Sequence, residues 1–304
     1  MNFQTLEIDG KTVDEASDGS LRIRIARTGA ELVSLARERG GEFVGFLHRD
    51  GDLGTPASGW ANHATVMGYF LHRLWNQESN YRGHIIRGGN HGFLRHFEFD
   101  APQRLDNGLA YHVPCDRIPP DAYPLRVSLV LSYRIVGGAV RVEFAFRNEE
   151  PSETAHVSFG LHPGFAVGSV ELANVLFPKG EFVRHLAPGN FLSGETVTVS
   201  CGGGPMPFDK AGLPDSYLID LARVAHREFV VEAPAVGHRI RLDFSEVPFV
   251  TLWTDSDDFL CVEPCWGLPD SNPPVPFENK IGIQTIEPGA VLKAGFSLKP
   301  EFLT

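Results

Sequence analysis

Helical periodicity is nearly absent from this chain, which excludes helix bundles and the strand–helix alternation of parallel α/β folds. Cysteine is scarce as well, with 4 in 304 residues. So few thiols do not make a disulfide framework, and they read as the reduced cysteines of a cytoplasmic protein. A chain of this length can bury a large core, so it needs no disulfide or metal staple. Cys261 and Cys265 have no second cysteine pair and no histidine at finger spacing, so zinc is not expected. Basic residues are outnumbered, 27 against 38 acidic ones, giving a formal net charge of -11. That balance argues against nucleic acid or an anionic membrane as the main partner and leaves a neutral small molecule. No apolar run approaches the length of a membrane helix, and Met-Asn-Phe-Gln-Thr-Leu-Glu lacks the basic and apolar regions of a secretory signal. The expected location is the cytoplasm.

Several motifs are also missing. There is no G-x-S-x-G, no P-loop and no G-x-G-x-x-G after a strand, so neither a serine hydrolase nor a nucleotide cofactor is signalled. His84, His91, His96 and Glu98 lie close in sequence but match neither H-E-x-x-H nor H-x-H. No cofactor and no metal are expected.

What the chain does contain is short alternating segments with Gly, Pro, Asn or Asp in nearly every gap. Leu21–Ala26, Glu31–Leu35, Arg95–Phe99 and Leu109–Val113 follow the two-residue period of half-buried strands. Leu125–Ile135 and Ala139–Arg147, joined by Val136-Gly-Gly138, predict a hairpin. Further strands are expected at Ala155–Gly160, Val170–Leu176, Glu228–Glu232, Arg239–Phe244, Phe249–Trp253, Phe259–Glu263 and Val291–Leu298. Weak helical candidates lie at Pro214–Ala222, where Asp215 would cap a turn, and at Trp60–Leu74, where Tyr69-Phe-Leu71 suits a buried strand equally. The Gly- and Pro-rich segment Ala187–Pro214 reads as an excursion, and no linker or repeat divides the chain. The pattern predicts an all-β fold, a single large antiparallel β-sandwich spanning residues 1–304.

Three stretches carry candidate chemistry. In Phe259-Leu-Cys-Val-Glu-Pro264, alternation puts Phe259, Cys261 and Glu263 on one face, and Pro264 is expected to end the ladder. A Glu at a strand end usually points into water; in apolar company its pKa rises, which suits a general base. In Arg87-Gly-Gly-Asn-His-Gly-Phe-Leu-Arg95 the glycines bracket His91, which fits a close backbone approach to a ligand, although a lone loop histidine often has no role. Arg95 reads as a bridging or solvated strand residue. In Ser158-Phe-Gly-Leu-His-Pro-Gly-Phe165 the strand is expected to end at Gly160, with Pro163 fixing a turn that presents His162 at the sheet rim. The competing reading of His162 is a buried histidine bonded to a backbone carbonyl. Trp253 or Trp266 would offer an aromatic floor, although packing is the usual role of such residues.

Assembled, these stretches resemble the aldose 1-epimerase (galactose mutarotase) family, and most closely its bacterial aldose 1-epimerase-like branch. Asn90-His-Gly-Phe-Leu-Arg95 matches the family's H-G-F-x-R stretch, and Leu161-His-Pro-Gly-Phe165 its H-P-x-F stretch. Cys261-Val-Glu-Pro264 with Pro269-Asp270, Glu287-Pro-Gly289 and Gly29-Ala-Glu-Leu-Val-Ser-Leu35 match in the family's order across nearly the whole chain. The resemblance implies the mutarotase-like β-sandwich and cofactor-free anomer interconversion of an aldose. It implies Glu263 as base, His162 as acid and His91 as its assistant. Arg73 and, more loosely, Asp215 are implied as substrate-binding residues. Gly164 stands where the galactose-specific branch commonly has Tyr, and Gly68-Tyr-Phe-Leu-His-Arg73 departs from the usual G-R-x-x-N-R, so the sugar stays open. Two alternatives also stay open: a hexose-phosphate 1-epimerase, or a non-catalytic sugar-binding or regulatory module. The expected partner is a small-molecule sugar, and the protein a monomer or homodimer.

Overall fold

The structure is a computed structural model that describes residues 1–206 and 209–303. Every named strand pair in it is antiparallel. Helix is confined to short 3-10 turns among the described residues. None of the helices is long and apolar enough to cross a membrane.

The hairpin forms as its sequence predicts. Val127–Val136 pairs with Ala139–Asn148, and Val136 faces Ala139 across Gly137 and Gly138. Both glycines have positive φ, the conformation that a two-residue hairpin turn requires. Val140, Val142, Phe144 and Phe146 are fully buried on one face, while the residues between them are at least partly exposed. With Val291–Phe302 alongside, this hairpin sits within a nine-stranded sheet. A second, eight-stranded sheet carries Phe249–Trp253, Phe259–Trp266 and Ala155–Ala166 side by side, with Ala64–Tyr69 on the far flank of the last. The two sheets face each other through aromatic rings. Phe159 lies 5.0 Å from Phe144, 4.7 Å from Phe146 and 5.0 Å from Trp266, centroid to centroid. Trp266 is therefore core rather than the floor of a site.

Several local expectations are corrected. The Glu263 strand runs on through Pro264 to Trp266, and the His162 strand runs unbroken from Ala155 to Ala166 through Pro163. The two prolines are tolerated because the strands exchange no ladder pairs between Leu161–Pro163 and Val262–Pro264, so the missing donors fall in a gap. Arg95–Phe99 is not a strand; Leu94–His96 forms a 3-10 turn. Only Asn174–Phe177 of the Val170 segment is extended, because Val170 N–H turns to the backbone and side chain of Asp257. The Trp60–Leu74 segment becomes the buried strand Ala64–Tyr69. Lys210–Asp215 is a 3-10 turn capped by Asp209, not Asp215, and Tyr217–Asp220 continues as strand.

Phe159 joins both sheets from a position three residues before His162. Phe159→Ala is expected to lower stability by about 3–5 kcal/mol, as truncation of a fully buried ring does. Urea unfolding followed by tryptophan fluorescence measures it.

Candidate active site

The alternation that buries Phe159, Leu161 and Phe165 in the core turns His162 to the opposite face of its strand. On the neighbouring strand Leu260 and Val262 face the core and Glu263 faces away from it. Gly160 pairs with Cys265 and Gly164 with Cys261, so His162 stands directly across from Glu263. His162 Nε2 and Glu263 Oε1 are 3.3 Å apart. Both side chains are buried, with residue exposures of 6% and 1%. His162 is therefore held mid-strand, not at a rim.

Three further elements close over this pair. Trp60, from the coil before Ala64–Tyr69, stacks on the His162 ring at 4.9 Å, and Trp253 meets that ring edge-on at 5.5 Å. Gly164 is what lets Trp60 approach: a Cβ there would lie 2.6 Å from the indole. The residue that departs from the galactose-specific pattern is thus spatially tied to an aromatic from another loop. His91 is set by backbone contacts. Its N–H donates to His72 O at 2.7 Å, and the His72 N–H donates back to His91 Nδ1 at 3.2 Å. With Nδ1 accepting, a neutral His91 carries its proton on Nε2 and is a donor. Its ring stands perpendicular to His162 at 5.2 Å. Gly92 serves this loop, not a ligand. It sits at φ 72, and a Cβ would lie 2.2 Å from Gly68 O.

Removal from water sets the protonation of the pair. Burial drives the Glu263 carboxyl well above the ordinary carboxylate range. Burial, reinforced by neighbouring His72, lowers His162 to about 3. His91 is pushed well below its usual value by burial and then by His162 and His72, and burial alone takes His72 to about 4. Burial thus favours the uncharged form of each partner, a carboxylic acid beside a neutral imidazole. Glu263 Oε2 and His162 Nδ1 are buried without hydrogen-bond partners.

Glu263, His162, His91, Arg73 and Asp215 all line one cavity of about 250 Å³. Trp60, Thr65, His72, Asn90, Arg95 and Trp253 line it too. Of these, the sequence offers Trp253 as an aromatic floor and Asn90 lies inside the His91 motif; Arg95, whose local pattern suggests a bridging or solvated strand residue, lines the cavity instead, whereas Trp60 and His72 carry no local signal. Arg95 turns into the cavity from its 3-10 turn, where its guanidinium lies 3.1 Å from the Asn62 side-chain amide. The Ala187–Pro214 excursion contributes Ala187 and Asn190 to the wall.

Arg73 is held by a buried ion pair. Asp270 N–H donates to Arg73 O at 3.1 Å, Asp270 Oδ2 accepts from Trp75 N–H at 3.1 Å, and Lys280 Nζ lies 2.5 Å from Asp270 Oδ1. Both charged side chains are at most 4% exposed. Breaking such a pair strands a buried charge, whereas removing both charges costs far less. Asp270→Asn is expected to destabilise the protein by about 3–5 kcal/mol. Adding Lys280→Met should recover most of that loss, and denaturant unfolding of the single and double variants measures both.

Comparison with known proteins gives the chain a lineage. A protein-family model described as Aldose 1-epimerase matches residues 15–299. Protein LacX of Lactococcus lactis subsp. lactis is 23% identical over 288 residues, covering 84% of this chain and 88% of LacX. The galactose mutarotase related enzyme of Lactobacillus acidophilus superposes with a TM-score of 0.85 at 21% identity, over 96% of this chain and 98% of that one. A galactose mutarotase-like protein of Lactobacillus casei gives 0.82 at 20% identity, over 95% and 100%. These structures share the fold, and the family match runs from the second strand to the last, so the chain belongs to the aldose 1-epimerase family.

Proposed function

We propose that this protein is an aldose 1-epimerase acting on a free hexose or a related monosaccharide, and that it works in the cytoplasm. The observation that carries the reading is the Glu263–His162 contact, one carboxyl and one imidazole 3.3 Å apart in the cavity. A cavity of about 250 Å³ suits one sugar ring rather than an oligosaccharide.

Anomer exchange needs one proton removed and one delivered. Glu263 as carboxylate takes the proton from the anomeric hydroxyl, while His162 as imidazolium gives one to the ring oxygen. The C1–ring-oxygen bond breaks with its electron pair leaving on that oxygen, and the O1 electrons form the carbonyl. Rotation about C1–C2 and reversal of both transfers yield the other anomer. At the open-chain stage the carboxyl carries the proton and the imidazole is neutral, which is the distribution that burial favours. Sugar binding therefore has to draw the proton across the Glu263–His162 contact before ring opening. His91, donating from Nε2, binds the ring oxygen or a neighbouring hydroxyl. Arg73 and Asp215 hold sugar hydroxyls, and Trp253 offers an apolar face.

A second reading, a hexose-phosphate 1-epimerase, draws on Arg73 and Arg95, which both line the cavity with no carboxylate at ion-pair distance among the described residues. Polarimetry of freshly dissolved α-glucose and α-galactose, with exchange NMR of glucose 6-phosphate, separates the two. Faster relaxation of a free sugar is expected. Acceleration of the phosphate ester alone would install the second reading, and acceleration of none of these, nor of a wider panel of free aldoses, would remove both.

On a responsive sugar, Glu263→Gln should cost at least ~100-fold in turnover; near-wild-type turnover would remove Glu263 as base. The reaction needs the pair to hold one proton, so activity is expected to fall on both sides of a pH optimum. At low pH the base is lost to a second proton, and at high pH the acid is lost with the last one. A pH profile of the catalysed rate, corrected for the spontaneous one, checks this.

A further inference from the structure

Three donor atoms not assigned jointly to the sugar reaction converge beside the cavity, which His72 and Glu263 line. His72 Nε2, a Glu263 carboxylate oxygen and Cys265 Sγ all lie within 4.8 Å of one another, and all three residues are buried. The imidazole-to-thiol distance is 4.0 Å. Glu263 offers a free donor as well: Oε1 faces His162, while Oε2 is buried without a hydrogen-bond partner. The Thr251 hydroxyl meets Cys265 Sγ at 3.7 Å and orients it.

We propose that His72, Glu263 and Cys265 form a binding site for one Zn2+ ion and that its occupancy switches the enzyme off. One nitrogen, one oxygen and one sulfur suit a borderline-soft ion; Mg2+ and Ca2+ demand oxygen shells instead. Tetrahedral bonds of about 2.0–2.3 Å place donors about 3.3–3.7 Å apart, so small side-chain rotations close the set. The donors sit on stiff supports. Glu263 and Cys265 share one face of one strand, and His72 is held at φ 53 by two hydrogen bonds to His91. His72 and Glu263 both line the cavity, so the ion enters there and its fourth position remains open to water. As the Zn–S and Zn–O bonds form, the thiol and carboxyl protons leave to solvent, and nothing is oxidised or reduced. The carboxylate is then a ligand and is no longer a base. Only this inhibitory half rests on the proposed epimerase reading; metal binding stands without it.

The test uses the full chain, with Co2+ as optical probe and Zn2+ in calorimetry. One equivalent is expected to bind, with a cobalt–thiolate charge-transfer band. Cys265→Ala should abolish the band and weaken Zn2+ binding at least ~10-fold. His72→Asn, which keeps a residue tolerant of positive φ, should weaken it likewise. Zn2+ should inhibit anomer exchange in the unaltered protein and much less in Cys265→Ala, each compared with its own zinc-free rate. No saturable binding, or equal binding in both variants, would overturn the site. A band that survives Cys265→Ala would do the same, assigning the metal to another thiol such as the partly exposed Cys115. Binding without inhibition would overturn the switch. If no sugar responds at all, the band and calorimetry still decide the site.

Discussion

A carboxyl group buried in a β-sheet against an imidazole is the constraint on which the rest of this site depends. In water Glu263 would be ionised and His162 would titrate near neutrality; out of water both are driven toward their uncharged forms. The two groups meet over 3.3 Å, where the charge of either one bears directly on the other. A sugar with an acidic hydroxyl and a basic ring oxygen matches such a pair. The low local dielectric that makes the burial costly also makes the two groups sensitive to each other and to a ligand.

The fold maintains that constraint by layering. Phe159, Leu161 and Phe165 anchor the His162 strand on the core side, so the imidazole on the opposite face has little room to shift. The register between Gly160–Gly164 and Cys261–Cys265 fixes which residue stands across from which. Around the pair, His91, His72 and Trp60 come from separate loops and remove water from three sides. Outside them the Asp270–Lys280 pair pins the backbone of Arg73. Stability and specificity meet at that pair, since its buried charges are tolerated only because each compensates the other.

The same crowding sets limits on variation. Gly92 accepts no side chain because its neighbour is the backbone of Gly68, and Gly164 accepts none because Trp60 lies on it. Position 164, where an aromatic residue would be expected in a galactose-specific relative, is empty so that an aromatic from elsewhere in the chain can fill the space. The shape of the cavity wall at this point therefore depends on the Trp60 loop as well as on the strands.

Much was legible locally. Alternation revealed the strands, Gly137-Gly138 marked the hairpin, and short motifs singled out Glu263, His162 and His91, because period-two patterning and turn chemistry depend on near neighbours. Pro163 and Pro264 misled as strand ends, since whether a missing N–H matters depends on the partner strand, which local sequence does not show. Arg95 reads as a bridging or solvated strand residue because its turn, not its own pattern, aims it inward. By itself the sequence determined an all-β sandwich and the chemical types at its site. Only the tertiary structure decided that His162 faces Glu263, that Trp60 covers them and that His72 approaches Cys265. Those contacts join residues up to nearly two hundred positions apart, and packing and register, rather than local propensity, select them.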